Sequence, residues 1–366
     1  MPNLATPEAT RAYAERFAGT AAPGHFRGAR GLALSSLGVG TYLGNPDAAT
    51  DRGYTEAIVE AVLGGFNVLD SAINYRFQRS ERSVGAAIAE LAARGVPREA
   101  LLVCTKGGYL TPDGEMPANP REYFAREYFS AGILQPADVA AGCHAMTPGY
   151  LENQLARSLR NLGLASVDVY YVHNPETQLE EVPPEEFRAR LRAAFEFLES
   201  AVAAVKIGHY GVATWNGFRQ PAGSPALHSL AEMVAVAREV AGDAHHFAFV
   251  QLPVNLMMPE AVVLPNQRVA GRELPLLAAA MELGVTVIGS GPTLQGRLAR
   301  GLPPAIVNTI GLGNDFERAL QFARSAPGLT TALVGMSRAE HARANLRLAG
   351  EPPLAGEKFW SLFRDE

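Results

Sequence analysis

Short apolar stretches alternate with amphipathic segments along most of the chain. We predict a strand where a short apolar run lies between turn residues, and a helix where apolar residues recur at helical spacing. The predicted strands cover residues 34–40, 66–69, 101–105, 167–172, 210–213, 247–252, 285–288 and 329–334. The predicted helices cover residues 51–63, 80–93, 147–162, 184–205, 226–240, 274–283, 315–324 and 338–348.

This alternation predicts the topology of the fold. Strands that alternate with helices form a parallel sheet, because each helix carries the chain back before the next strand begins. With eight such units we predict an α/β protein with a closed (β/α)8 barrel, the TIM barrel. An open, doubly wound sheet is the alternative. It would carry a glycine-rich dinucleotide loop after its first strand, and none is present.

Two long segments interrupt the alternation. One covers residues 107–146 after the third strand, and the other follows the sixth strand and extends to Arg272. Insertions at this end of a barrel strand usually lie over the active site, so we predict that residues 107–146 form a lid. We assign residues 1–30 to an N-terminal extension, residues 31–350 to a single barrel and residues 351–366 to a C-terminal tail.

Composition narrows the function classes. The chain has 366 residues, of which 48% are hydrophobic and 19% charged, so a large buried core is expected. A net charge of -5 does not favour nucleic acid as a partner. No apolar run approaches a membrane span, and the first residues do not form a secretory signal. With only Cys104 and Cys143, we expect a reduced, cytoplasmic protein without disulfides.

Four residues that could carry chemistry follow three successive predicted strands. Asp70 ends the second strand, and Tyr75 lies in the loop behind it. Lys106 ends the third strand and His173 ends the fourth. Taken singly, each has a structural explanation, such as capping a loop or packing at the rim. Because the carboxyl ends of barrel strands meet at one mouth, we expect these side chains to converge there.

Together these side chains could transfer a proton. A phenol with a pKa of ~10 protonates a developing alkoxide poorly at neutral pH. A neighbouring ammonium stabilises the phenolate and lowers that pKa. We therefore expect Tyr75 to act as general acid or base and Lys106 to tune its pKa. Asp70 would be the counter-ion of Lys106, and His173 would orient a substrate carbonyl.

The segments around these residues resemble the aldo-keto reductase family. Residues 70–75 read DSAINY, which matches the family pattern D-x-A-x-x-Y, and Ser80 and Glu81 follow as in the family. The lysine lies in VCTKGG and the histidine in DVYYVHNP. Gln251, in FVQLPVNL, matches the family's glutamine at the end of the sixth strand, and VGMSRAEHARANL resembles its C-terminal cofactor segment. The resemblance spans roughly residues 34–348.

The resemblance implies an NAD(P)H-dependent oxidoreductase that reduces an aldehyde or ketone to an alcohol, or the reverse, without a metal. Hydride would pass from the nicotinamide to the carbonyl carbon while Tyr75 donates the proton. The cofactor would lie across the barrel mouth, with its carboxamide at Gln251 and its adenosine on the C-terminal segment. The implied cofactor-binding residues are Gly40, Thr41, Thr214, Trp215, Gln251, Ser290, Gly291, Pro292, Thr293, Leu294, Gly335, Met336, Ser337, Arg338, His341 and Asn345.

The C-terminal segment also indicates which cofactor is used. Backbone amides at a helix N-terminus, aided by Ser337 and Arg338, can hold a phosphate. An arginine beside a serine favours a 2′-phosphate, so we expect NADPH rather than NADH. A solvated arginine in the first helical turn is the structural alternative. The partner would be a small carbonyl compound or alcohol.

The chain departs from the family pattern where the nicotinamide is held. The family's Ser-Asn after the fifth strand is Ala213-Thr214 here. The aromatic residue that usually stacks on the nicotinamide aligns with Ser290, and the usual Ser-Pro-Leu that follows reads Gly-Pro-Thr. We hypothesise that Trp215 supplies the missing aromatic face. This altered site also leaves open a non-catalytic or redox-neutral NADP-binding protein on the same fold, such as a cofactor sensor or an epimerase.

The insertion after the third strand contains two further candidates. Cys143 and His144 are adjacent, but metal sites need three or four ligands, so we expect no metal. The aromatic residues of the insertion are candidate contacts to the substrate: Tyr109, Tyr123, Phe124 and Tyr128.

Overall fold

The computed structural model describes residues 4–364, and these begin with a segment that packs against one end of a barrel. Its elements are helix α1 (Pro7–Glu15) and an antiparallel hairpin of strands β1 (Phe26–Ala29) and β2 (Leu32–Ser35). Leu32 and Leu34 of the hairpin belong to the buried cluster that also contains Val68, Leu102 and Val169 from three barrel strands. The hairpin therefore covers the end of the barrel interior that lies opposite the carboxyl ends of the strands.

The barrel itself consists of eight parallel strands. They are β3 (Leu37–Gly40), β4 (Val68–Asp70), β5 (Leu102–Gly107), β6 (Val167–His173), β7 (Ile207–Ala213), β8 (Phe247–Pro253), β11 (Thr286–Ser290) and β12 (Leu329–Gly335). A separate hairpin, β9 (Gln267–Val269) and β10 (Arg272–Leu274), lies between β8 and β11 in the chain. The spatial order is β11-β12-β3-β4-β5-β6-β7-β8, and β8 pairs with β11 to close the ring. The predicted (β/α)8 barrel is confirmed.

Helices surround the barrel. Those that follow the barrel strands are α2 (Ala48–Leu63), α3 (Arg79–Ala93), α5 (Pro148–Leu162), α7 (Pro184–Ala203), α8 (Leu230–Ala241), α10 (Leu276–Leu283), α12 (Asp315–Ser325) and α13 (Ala339–Leu346). Shorter helices lie in the connections: α4 (Pro120–Phe124), α6 (Glu176–Leu179), α9 (Glu260–Val263) and α11 (Pro304–Ile310). Another short helix, α14 (Gly356–Ser361), follows α13 in the chain. The largest hydrophobic cluster joins residues of the strands to residues of these helices, so it forms the layer between them.

The first predicted strand differs from the observed one. The sequence predicts a single strand over residues 34–40, but the structure divides this run at Ser36. Leu34 belongs to β2, whereas the barrel strand begins at Leu37. The N–H of Ser36 donates to the carbonyl of His25 at 2.6 Å. This bond lies at the end of the β1–β2 pairing, and the pairing of β3 with the barrel strand β12 begins at Leu37. Apolar content alone does not show this break because both halves of the run are buried.

The segment of residues 107–146 has structure of its own. Helix α4 continues into one π-helical turn (Ala125–Phe129). Tyr128, Leu134 and Ala145 form a small buried cluster with Tyr150 of α5. The segment is therefore held to the barrel by its own apolar contacts. No helix within residues 4–364 has the length and apolar character needed to cross a membrane.

Candidate active site

Three successive barrel strands bring the predicted residues to one place. Asp70 is the last residue of β4, Lys106 lies near the end of β5 and His173 ends β6. A cavity of about 760 Å³ opens at these carboxyl ends, and Asp70, Tyr75 and His173 line it. Its size is in the range of ligand pockets. The expected convergence at the barrel mouth is therefore observed.

Lys106 and Asp70 form a buried ion pair beneath the cavity. The Lys106 Nζ donates to Asp70 Oδ1 at 2.5 Å and to the carbonyl of Ser71 at 2.7 Å. The second carboxylate oxygen, Asp70 Oδ2, accepts from Gln251 Nε2 at 2.8 Å. Lys106 is fully buried. The carboxylate thus has a partner on each oxygen, and the ammonium is fixed in one position.

The phenol of Tyr75 lies beside this pair. The Lys106 Nζ is 4.8 Å from the centre of the Tyr75 ring. Burial raises the pKa of the Tyr75 phenol above its ordinary value, and Lys106 opposes that rise. Burial alone would lower the pKa of Lys106, but Asp70 and Tyr75 raise it, so the lysine stays charged. Lys106 therefore acts on the phenol in the expected direction, while burial has the larger effect on the pKa.

A left-handed turn sets the position of Tyr75. The next three residues, Arg76, Phe77 and Gln78, have φ values of 50°, 57° and 72°. Such values are unfavourable for residues with a Cβ and persist only where the surroundings hold them. Here the buried Arg76 guanidinium pairs with Asp51 of α2. Helix α3 begins directly after this turn, so the turn links the tyrosine to the outer helix layer.

His173 supplies a neutral imidazole to the same cavity. Its ring centre lies 5.7 Å from that of Tyr75 and 5.2 Å from that of Tyr109. Burial and the nearby Lys106 charge hold the pKa of His173 well below its ordinary value. The carbonyl of His173 accepts from His144 Nε2 at 2.7 Å, which fixes the backbone at the end of the strand. A neutral ring here can donate a hydrogen bond to a carbonyl oxygen without adding charge.

Most of the residues that the resemblance implies for the cofactor also line this cavity. They are Gly40, Thr41, Thr214, Trp215, Gln251, Ser290, Gly291, Pro292, Thr293, Gly335, His341 and Asn345. Four others do not line it: Leu294, Met336, Ser337 and Arg338. Met336 is fully buried among core residues. The Arg338 side chain is 63% exposed and pairs with Glu340 at 3.0 Å, so it faces solvent in the structure.

Unpartnered polar atoms along the cavity show that it suits a polar ligand. Thr214 Oγ1, His173 Nδ1 and Asn345 Nδ2 are buried and have no hydrogen-bond partner among the described residues. All three residues line the cavity. Buried polar atoms normally find partners, so these atoms fit a bound group that carries donors and acceptors along its length. A nicotinamide dinucleotide is such a group.

Several lining residues are not among the sequence-based candidates. Asn74 and Asn174 are direct neighbours of Tyr75 and His173, and this adjacency was the signal that could have found them. Glu317 and Arg347 come from α12 and from the turn after α13, and no pattern in the sequence marks them. The remaining ones are Tyr42, Leu43, Ala213, Gln295, Gly296, Asn314, Phe316, Leu333 and Ala344.

The insertion of residues 107–146 reaches the cavity through one aromatic side chain. Tyr109 lines the cavity, and its hydroxyl accepts from Asn174 Nδ2 at 3.0 Å. Tyr123, Phe124 and Tyr128 do not line the cavity, because they pack on one another and on α5. Within residues 4–364, no group of three or more His, Cys, Asp or Glu side chains is placed to hold a metal ion.

A buried carboxylate holds the loop that carries Trp215. Glu176 Oε1 accepts from the backbone N–H groups of Trp215 at 2.7 Å, Asn216 at 3.0 Å and Gly217 at 3.4 Å. Glu176 Oε2 lies 3.6 Å from His228 Nε2. Burial alone would raise the pKa of Glu176, but His228 and the backbone N–H groups outweigh it and lower the pKa. The negative charge thus stabilises this loop at the cavity edge.

Glu176→Gln is expected to destabilise the protein at pH 7 by about 1–2 kcal/mol, because hydrogen bonds to a charged acceptor are stronger than those to a neutral one. The pKa of Glu176 is lower in the folded state than in the unfolded state. Its charge therefore contributes to stability at pH values above the ordinary glutamate pKa of ~4.3. That contribution is lost as the pH falls through the folded-state pKa. Urea unfolding of both proteins, from pH 7 to pH values well below ~4.3, measures the difference.

The control for this experiment is Glu185→Gln, at an exposed glutamate in the first turn of α7. Its effect should be small at every pH. A destabilisation by Glu176→Gln that stays constant at pH values well below ~4.3 would contradict the role assigned to the charge, because the contribution of the charge is lost as the pH falls through the folded-state pKa.

The fold and the position of the cavity define the class of protein. A (β/α)8 barrel with a cavity at the carboxyl ends of its strands is the arrangement found in barrel enzymes. The Aldo/keto reductase family model matches residues 36–302. The chain therefore belongs to the aldo/keto reductase family of NAD(P)-dependent oxidoreductases, as its motifs indicate.

Solved structures support the fold. An aldo/keto reductase from Klebsiella pneumoniae, in complex with NADP and acetate, is 20% identical with a TM-score of 0.57, covering 91% of this chain and 92% of that chain. The holo form of an aldo-keto reductase from Bacillus halodurans is 19% identical with a TM-score of 0.62, covering 92% and 95%. A glycerol dehydrogenase from Gluconobacter oxydans is 17% identical with a TM-score of 0.62, covering 93% and 95%. A comparison with curated proteins finds no match.

Proposed function

We propose that the protein reduces an aldehyde or a ketone to an alcohol, or oxidises the alcohol, with NADP(H) as the cofactor. The observation that carries this proposal is the position of Tyr75, which lines the cavity and has the buried Lys106–Asp70 pair beside it. When bound, the cofactor supplies or accepts the hydride. The residues of this chain would orient the carbonyl and move the proton.

Each of the four residues has a role in this proposal. His173, neutral at pH 7, donates a hydrogen bond to the substrate carbonyl and holds it in the cavity. The Tyr75 hydroxyl gives its proton to the oxygen on which negative charge develops. The Lys106 ammonium stabilises the phenolate that remains. Asp70 keeps that ammonium charged and in place.

We propose NADP(H) in preference to NAD(H). An arginine near the α13 end of the cavity supports this choice, because Arg347 lines the cavity there. The relative from Klebsiella pneumoniae was solved with NADP. We also propose that Thr214 and Gln251, both of which line the cavity at the barrel centre, contact the carboxamide.

We propose that residues 31–350 form one barrel domain, with residues 1–30 as an N-terminal extension and 351–366 as a tail. Residues 1–3 and 365–366 lie outside the described residues. Within the barrel domain, residues 107–146 would form one wall of the substrate site, because Tyr109 projects from them into the cavity. The hydroxyl of Tyr150 and the amide of Gln154, both on α5, donate to the carbonyl of Tyr109 at 2.9 Å and hold it there.

Trp215 would supply one face of the nicotinamide site. It lines the cavity, is 37% exposed, and lies 3.8 Å from where a Cβ at Gly291 would be. Base–aromatic stacking contributes about 1–3 kcal/mol per ring in other nucleotide sites. Trp215→Ala is therefore expected to weaken NADPH binding at least about fivefold, as measured by fluorescence titration. Trp360→Ala, at an exposed tryptophan of α14, is the matched control.

The experiment that tests the proposed function has two steps. NADPH binding is measured by its fluorescence, and its oxidation is then followed with a panel of aldehydes and ketones. Saturable binding with turnover of at least one carbonyl compound is the expected result. Binding without any turnover, in either direction, would instead support the non-catalytic or redox-neutral alternative.

A further inference from the structure

The cavity extends well beyond the four residues at the barrel centre. It continues over the end of β12, where Leu333 and Gly335 line it, to helices α12 and α13. In the proposed function the nicotinamide must lie against Tyr75 for hydride transfer to reach a carbonyl held there. Among the described residues, the cavity provides this extension for the rest of the dinucleotide, so its adenosine ribose lies near α12 and α13.

Two opposite charges meet at that end of the cavity. Glu317, in the first turn of α12, forms an ion pair with Arg347, which follows α13. Both residues line the cavity. The Glu317 side chain is 12% exposed, whereas that of Arg347 is 69% exposed. The Asn314 Oδ1 accepts from the Glu317 N–H at 2.9 Å, which fixes the start of the helix and with it the carboxylate.

These charges have opposite preferences for the two forms of the cofactor. The adenosine 2′-hydroxyl of NADH can donate a hydrogen bond to a carboxylate. Acidic residues accept such a bond in the dinucleotide sites of other folds. The 2′-phosphate of NADPH carries close to two negative charges at pH 7, so a carboxylate repels it and an arginine attracts it. Arg338 is the other candidate for the phosphate, but it does not line the cavity and pairs with Glu340.

We propose that Glu317 and Arg347 distinguish a hydroxyl from a phosphate at the 2′ position of the adenosine ribose. Glu317 accepts from the 2′-hydroxyl of NADH, and Arg347 holds the 2′-phosphate of NADPH. In the structure the two side chains pair with each other. NADPH must therefore separate Arg347 from Glu317, and the carboxylate limits the preference for NADPH. This inference rests on the proposed function, in which a nicotinamide dinucleotide occupies the cavity.

The test measures the dissociation constants of NADPH and NADH by fluorescence for the full-length protein and three variants. Glu317→Gln is expected to raise the NADPH-to-NADH affinity ratio about fivefold, and Arg347→Gln to lower it by a similar factor. Arg338→Gln should leave the ratio within about twofold because Arg338 faces solvent. Competition by 2′,5′-ADP and by 5′-ADP isolates the adenosine end and should show the same changes.

Glu282→Gln is the matched control, because Glu282 pairs with Arg272 and neither residue lines the cavity. Both cofactors are measured on the same variant, so a loss of folded protein changes both titrations and leaves the ratio intact. The inference is overturned if Glu317→Gln leaves the ratio unchanged, or if Arg338→Gln changes it instead. If the wild-type protein binds neither cofactor, the proposed function fails before this inference is reached.

Discussion

Tyr75→Phe is expected to lower kcat for carbonyl reduction by about 10²–10⁴-fold, the usual contribution of a positioned general acid. The phenylalanine keeps the ring that packs on Tyr42 and His173, with ring centres 5.0 and 5.7 Å away. Only the hydroxyl that gives the proton is lost. The affinity for NADPH should therefore stay within about twofold, because a proton donor stabilises the transition state and not the bound cofactor.

The pH dependence of the wild-type protein provides a second measure of the same group. Burial raises the pKa of Tyr75, so the phenol keeps its proton at neutral pH and beyond. Carbonyl reduction should hold its rate until the pH exceeds ~10, the ordinary value for a phenol. Tyr109→Phe serves as control because it removes another phenol that lines the cavity. Equal losses in both variants, or turnover that survives Tyr75→Phe, would exclude Tyr75 as the acid.

The barrel could be predicted from the sequence because its signal is local. Each strand and each helix has its own apolar period, and eight repeats leave few topologies to choose from. The N-terminal hairpin was not predicted, because a strand forms there only by pairing with a partner strand, and the local apolar pattern does not show that partner. In the same way, the buried run that contains Ser36 gave no sign that it divides between two sheets.

The part of the candidate site at the barrel centre could also be predicted from the sequence. Asp70, Lys106 and His173 end predicted strands, and the geometry of a barrel brings strand ends together. The end of the cavity near α12 and α13 could not be predicted from the sequence. Glu317 of α12 and Arg347, in the turn after α13, are 30 residues apart in the chain and meet only in the folded structure.

The relative sizes of the opposing effects on the pKa of Tyr75 could not be predicted from the sequence either. The neighbouring residues show that an ammonium lies near the phenol, but they do not show how much water the site excludes. Burial penalises the phenolate, and in the structure it has a larger effect on the pKa than Lys106 has. The direction of each contribution follows from residue types, whereas their relative sizes follow from packing.

Lys106→Met is the second change with a large expected effect. It leaves Asp70 buried with a negative charge and without its cationic partner. Removing one partner of a buried ion pair typically costs about 3–5 kcal/mol of stability. Carbonyl reduction should also be lost, because no positive charge remains beside Tyr75 to stabilise the phenolate. Urea unfolding and NADPH oxidation measure the two effects, and Lys206→Met, at an exposed lysine, is the matched control.

A double variant separates the two consequences of this change. Asp70→Asn combined with Lys106→Met removes both charges, so most of the lost stability should return, because a neutral pair avoids the unpaired buried carboxylate. Activity should not return, since the phenol still lacks its ammonium. The single variant should also regain stability as the pH falls, because a buried carboxylate without a cation has a raised pKa and takes up a proton on folding. A double variant as unstable as Lys106→Met alone would show that packing, and not charge, sets the stability of this site.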